Sequence, residues 1–150
     1  MHISINPQMM RQIIMDHYEN PRNRRVPNDD RYIKINMDSV SCIDNIDVYA
    51  LIEDGIVKDC CFDGVACTIS TASTSMMTEL VKGKTVKEAH YIIDNYNKMI
   101  HEQPFDEEVL DEAIVFINTS KQAARIKCAT IGWNGLEEIL NESEGDCHEE

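Results

Sequence analysis

Three cysteines and one aspartate stand where loops or helix ends can present them. Cys42 and Asp44 fall between two stretches of alternating polarity, Cys67 falls where such a stretch gives way to a helical period, and Cys128 falls within the last helical stretch. Three thiolates and a carboxylate can give zinc a closed tetrahedral shell, with Zn–S near ~2.3 Å and Zn–O near ~2.0–2.2 Å. The intervals from Cys42 to Cys67 and from Cys67 to Cys128 are long and match no zinc-finger rhythm. Spacing therefore leaves a metal site and three buried structural cysteines as equal readings. Zinc with three thiolates and Asp44 would carry a net charge of about −2, which a buried site holds only with cationic neighbours. Arg125, one helical turn before Cys128, and Lys127 stand nearby, and the positive end of the helix after Cys67 favours a thiolate. Taken singly, each cation is more simply a solvated helix charge.

The remaining candidates carry less chemistry. Cys60 and Cys61 are adjacent in a predicted strand, so they point to opposite faces, one buried and one exposed. Cys147, beside His148 in an acidic tail, reads as a bystander. His17 belongs to a packed helix face, and His2, His90 and His101 to the surface. No Ser/His/Asp arrangement and no phosphate-cradling glycine loop occurs.

Several elements must position these residues. Asn6-Pro7 is an N-cap followed by proline at the first helical position, and Met10, Ile13, Ile14 and His17 share a face of a helix ending near Tyr18. Asn20 to Asp30 is a connecting loop. Ile33, Ile35 and Met37, then Ile46, Val48, Ala50 and Ile52, alternate as two strands, and Glu53-Asp54-Gly55 turns into a third, Ile56 to Phe62. Ile69, Ala72, Met76 and Leu80 form a helical stripe with Gly83 as its C-terminal stop. Thr85 and Glu88 form a capping box for a helix to about Ile100 with Val86, Ala89, Ile93 and Tyr96 on its face. Asp106 to Ile117 reads as a further helix. Thr119 or Ser120 caps the last one, which carries Ala124, Cys128, Ile131 and Leu136 or Leu140 on one side. Strands followed by helices predict an α+β fold, a three-stranded antiparallel sheet packed by helices on one face.

Length and charge bound the rest. The 150 residues predict a single domain over 1–150, with an ordered core at about 6–140 and a frayed acidic tail at 141–150. The net charge is −13, and residues 101–150 hold 3 basic and 13 acidic side chains, which argues against nucleic-acid binding through a basic footprint. The longest apolar run, near Ala113–Ile117, is far short of the ~20 residues that span a bilayer. Met1-His2-Ile3-Ser4 begins no secretory signal pattern, so the expected place is a reducing cytoplasm, where six cysteines suggest metal or sulfur chemistry rather than disulfides.

Three segments together resemble a known family. Asp16-His17-Tyr18-Glu19-Asn20-Pro21-Arg22-Asn23, the run from Ala66-Cys67-Thr68-Ile69-Ser70 to Thr78, and Ala124-Arg125-Ile126-Lys127-Cys128-Ala129-Thr130 resemble the SufU branch of the NifU/IscU-like iron–sulfur cluster assembly proteins, over roughly residues 8–140. Scaffold-type relatives carry histidine before the third cysteine where this chain has Lys127, and the stretch from Gly83 to Ser120 resembles the insertion of the SufU branch. Charged lysine is a poor ligand, so Asp44 becomes the natural fourth one.

The resemblance thus implies zinc held by Cys42, Asp44, Cys67 and Cys128. It implies a zinc-dependent sulfurtransferase that accepts persulfide sulfur from a pyridoxal-phosphate cysteine desulfurase of the SufS type and passes it to downstream iron–sulfur assembly proteins. Cys42, on a loop a partner can reach, is the expected acceptor, and Arg125 the expected support for its thiolate or for Asp44. The alternative is a scaffold on which the same cysteines hold iron or a transient [2Fe–2S] cluster, and a third reading makes zinc purely structural. Two positions depart from the family pattern: Ile43 and Ala66 stand where glycines are usual. If either position needed a positive φ, Ile43 above all would be strained.

Overall fold

The computed structural model describes residues 6–39 and 43–148. In chain order it contains α1 (Pro7–Glu19), β1 (Ile33–Asp38), β2 (Asn45–Glu53), β3 (Ile56–Val65), α2 (Thr68–Val81) and α3 (Val86–Ile100). Three 3₁₀ turns follow at Glu107–Val109, Asp111–Phe116 and Thr119–Lys121, and α4 (Ala123–His148) closes the order. This is the expected α+β architecture. No helix among the described residues is long and apolar enough to cross a membrane.

The sheet is antiparallel in the order β1-β2-β3. Its register opposes Ile35 to Val48 and Met37 to Ile46, then Val48 to Phe62 and Ala50 to Cys60, so every apolar alternate residue lands on one face. Asp54 and Gly55, both at positive φ (55° and 73°), make the two-residue turn that matches the strands' twist. At the far end of the same ladder Gly64 lies at φ 130°, and a Cβ there would come within 2.2 Å of the Asn45 carbonyl oxygen. Only glycine lets β3 close on β2 beside the loop that carries Asp44.

Helices α2 and α4 cross on that apolar face, with α1 against α2 and α3 against α4. Every α2 residue from Ser70 to Thr78 is buried, a wider burial than a single apolar stripe predicts. Its neighbours are reached through hydroxyls. Ser73 Oγ donates to the Ala129 carbonyl and receives the Trp133 indole N–H (3.0 Å), while Ser75 Oγ meets His17 Nδ1 and the Arg22 amide, both at 2.8 Å. Trp133, fully buried, stacks on Tyr96 at 3.7 Å between ring centroids. Gly132 makes the crossing possible, because a Cβ there would lie 2.3 Å from Thr74 Oγ1.

Several sequence expectations change in detail. The segment after α3 forms 3₁₀ turns rather than a helix. Neither Thr119 nor Ser120 caps α4, since both fall in the last 3₁₀ turn and α4 starts at Ala123. Ala124 is exposed, and the buried side of α4 runs through Cys128, Ile131, Leu136 and Leu140 together with Trp133 and Ile139. The helix also continues past Leu140 to His148, as a run containing Glu142, a good helix former, allows.

Cys60 and Cys61 are both buried, not one of each. Cys60 faces the helices. Cys61 faces the other way, opposite Tyr49, and the chain after α1 pairs along β3's outer edge through Arg24 and Phe62, so this strand is covered on both sides. Burial raises both thiols above the ordinary cysteine range and keeps them neutral.

Candidate metal centre

Asp44 reaches the site from the last residue before β2. The Ser39 amide donates to the Asp44 carbonyl (2.9 Å), which pins the ends of the β1–β2 connection together. The Asp44 carboxylate is buried, 1 % exposed, and receives the Cys67 amide on Oδ1 (2.8 Å) and the Ser70 hydroxyl on Oδ2. Such a group is buried stably only with donors of this kind around it.

Cys67 is the N-cap of α2, and its Sγ accepts from the Ser70 amide at 3.5 Å. The unpaired amides at a helix N-terminus favour negative charge, so this position suits a thiolate. Cys128 comes from the second turn of α4 and is 9 % exposed, its Sγ 3.8 Å from the Ala124 carbonyl. Ligand atoms of Asp44, Cys67 and Cys128 all lie within 4.8 Å of one another, and Cys67 Sγ is 3.9 Å from Asp44 Oδ2. A tetrahedral zinc shell separates neighbouring donors by about 3.5–3.8 Å. Two soft sulfurs and a carboxylate at this spacing fit zinc with small side-chain adjustments, and thiolate ligands fit an iron–sulfur centre as well.

The three residues converge from distant parts of the chain because sheet and helices bring them there. Gly64 seats the Asp44 loop against β3, which leads directly to Cys67, and Gly132, one turn beyond Cys128, lets α4 close on α2. Of the expected four ligands, Cys42 lies outside the described residues, as do His2 and the Cys147 side chain.

A cleft of about 730 Å³ opens over the centre, lined by Cys67, Ile69, Ala124, Arg125, Lys127 and Cys128 among others. Arg125 is exposed on its wall and also lines an adjoining hollow with Met10, Arg11 and Phe116. Lys127 lines the cleft and a second depression beside Met37, Asp38 and Ser39, so it stands between the centre and the β1–β2 connection. Ala66 is not among the described residues with positive φ. The backbone angle that would strain Ile43 involves Cys42, outside the described residues, and the Ile43 side chain is 66 % exposed.

The Asp16–Asn23 motif serves the fold. His17 is buried with both ring nitrogens bonded, to Ser75 Oγ and to Glu112 Oε1 at 2.8 Å each, and the Arg22 guanidinium donates to Asp16 Oδ2 at 2.7 Å. Asn23, at φ 60°, donates to Thr78 and Glu79 on α2. Sequence reasoning passed over Ser70. Its position three residues after an N-capping ligand is the available signal, because that place in a helix faces the cap.

Comparison with known proteins agrees with this architecture. The profile of the NifU-like N-terminal domain matches residues 9–131. Over 138 residues the chain is 39 % identical to the zinc-dependent sulfurtransferase SufU of Bacillus subtilis (strain 168), covering 91 % of this chain and 92 % of that protein. It is 36 % identical over 132 residues to the iron–sulfur cluster assembly scaffold protein IscU of Thermotoga maritima, covering 88 % and 92 %. Among solved structures, a candidate iron–sulfur cluster assembly scaffold protein for the SUF system from Fervidobacterium islandicum AW-1 superposes with a TM-score of 0.78 at 32 % identity, covering 86 % of this chain and 94 % of that one. On its sequence, its sheet and its helices, the chain belongs to the NifU-like N-terminal domain family.

Proposed function

We propose that this protein serves iron–sulfur cluster assembly as a zinc-dependent sulfurtransferase, accepting persulfide sulfur from a cysteine desulfurase and handing it to downstream assembly proteins. The observation that carries the reading is the convergence of Asp44, Cys67 and Cys128, with Cys67 and Cys128 lining an open cleft together with Arg125 and Lys127. The similarity to a protein named as a zinc-dependent sulfurtransferase supports it. Lysine rather than histidine before Cys128 leaves the carboxylate of Asp44 as a ligand beside the thiolates.

Cys42 completes the shell. Chain connectivity alone keeps its Cα within about 7 Å of that of Asp44. Bound zinc would supply a charge that keeps the thiols deprotonated at neutral pH. The sulfur acceptor is Cys42, since Cys60 and Cys61 are buried neutral thiols and Cys67 is fixed at a helix cap. Its thiolate attacks the terminal sulfur of the partner's persulfide. One S–S bond forms, the former S–S bond breaks, and the electron pair leaves with the partner's cysteine as thiolate, so no outside oxidant or reductant is consumed. Arg125 on the cleft wall offers a charge-assisted hydrogen bond to the Cys42 thiolate or to Asp44.

The test is anaerobic purification without added metal, followed by assay of zinc, iron and acid-labile sulfide and of desulfurase stimulation. About one zinc per chain, with stimulation abolished in C42A, is expected. Iron with matching sulfide would replace this reading with the cluster scaffold, and stimulation retained in C42A would remove Cys42 as acceptor.

A further inference from the structure

Both oxygens of the Asp44 carboxylate are held by donors from one turn of one helix. The Cys67 amide donates to Oδ1 at 2.8 Å, and the Ser70 hydroxyl donates to Oδ2. Ser70 is fully buried, and its Oγ also lies 3.3 Å from Cys67 Sγ. Asp44, Cys67 and Ser70 therefore form a rigid unit at the N-terminus of α2, whereas Cys128 belongs to α4. An aspartate left to its own rotamers would divide its time among orientations, few of which aim an oxygen at the shared centre. Hydrogen bonds from outside the ligand shell orient ligating carboxylates and tune metal affinity in this way.

We infer that Ser70 is a positioning residue for the metal: its buried hydroxyl locks the Asp44 carboxylate against the N-terminus of α2, so that Asp44 and Cys67 act as one preformed half of the shell. The inference rests on the metal reading above and names a residue that itself ligates nothing. A preformed half also divides the labour of the site. When the shell opens toward a partner, Asp44 and Cys67 stay in place, and the ligands free to yield are Cys42 and Cys128.

The test is a double-mutant cycle read by zinc affinity, measured by competition with a chromophoric chelator on the full chain. S70A is expected to weaken zinc binding about tenfold, the low end of such second-layer effects. In a D44A background, where three thiolates still bind, S70A should change affinity less than twofold, because Ser70 acts only through Asp44. The thermal transition of metal-free S70A reports on the fold separately, and the Co²⁺ d–d spectrum of S70A should differ from that of the parent protein. Equal losses in both backgrounds, or an unchanged affinity in S70A, would overturn the inference. So would a metal-free S70A without a cooperative transition, which would assign Ser70 to the fold. A parent protein that takes up no zinc would fail the metal reading itself, a result distinct from all of these.

Discussion

Helices α2 and α3 sit side by side in the chain and are built on opposite plans. Among the buried residues of α2 are six with hydroxyl side chains, Ser70, Thr71, Ser73, Thr74, Ser75 and Thr78, and most of them bind a named partner on another element. Helix α3 buries Val86, Ala89, Ile92, Ile93, Tyr96, Met99 and Ile100 with one amide, Asn95, among them, and turns its charged residues outward. An apolar face tolerates small shifts, because dispersion and burial vary smoothly with position. A buried hydroxyl does not, since a hydrogen bond lost in the interior costs its full desolvation. The candidate metal centre grows from the end of the helix whose position is pinned by hydrogen bonds.

The contrast can be broken most sharply where α2 meets α4. G132A drives a methyl group into Thr74, whose own Cβ would be only 2.9 Å away, and should cost about 3 kcal/mol in denaturant unfolding despite alanine's better helix propensity. It should also weaken zinc binding, by moving Cys128 off Cys67. T74A in the same chain removes the nearest clashing atoms, Oγ1 and Cγ2, the former a hydroxyl oxygen with no partner among the described residues, while its Cβ stays 2.9 Å away, and should restore part of the loss. Unchanged stability in G132A alone would mean that the crossing distance is set elsewhere.

S75A tests the hydroxyl principle away from the metal. It strips a partner from the buried His17 ring and from the Arg22 amide, with an expected cost of about 2 kcal/mol and little change in zinc affinity. On α3 the comparison predicts the smallest effect. T85A removes the capping box, in which the Thr85 hydroxyl receives the Glu88 amide (3.0 Å) and Glu88 returns to the Thr85 amide (2.9 Å), and should cost about 1 kcal/mol. A loss in T85A matching that in G132A would erase the distinction between the two helices.

The same contrast explains what could be read in advance. Alternating apolar residues on β1 to β3, the Asp54-Gly55 turn, the Asn6 and Thr85 caps and the stripe on α3 are local patterns, and each appears where its period places it. The segment Asp106 to Ile117 reads as a helix in sequence and forms 3₁₀ turns instead, with Ala113–Phe116 packed inward. With Leu110 they are buried, while Asp111, at φ 46°, interrupts the regular run, a break no periodicity announces. The burial of Cys61 as well as Cys60 likewise depends on distant chain, with Arg24 of the segment after α1 pairing beside it with Phe62 on β3.

By itself the sequence determined the strands, the four helices, the family resemblance and the candidate ligand residues, because helix and strand periods, caps, turns and motifs are written between near neighbours. Tertiary structure alone decided that the ligand atoms of Asp44, Cys67 and Cys128 lie within 4.8 Å of one another, that Ser70 holds the carboxylate, and that Arg125 and Lys127 wall the cleft beside them. The physical reason is that convergence depends on how closely two helices and a sheet can approach. That distance is set at Gly64 and Gly132 by the absence of a side chain, which carries no pattern in the sequence until the facing atoms are known.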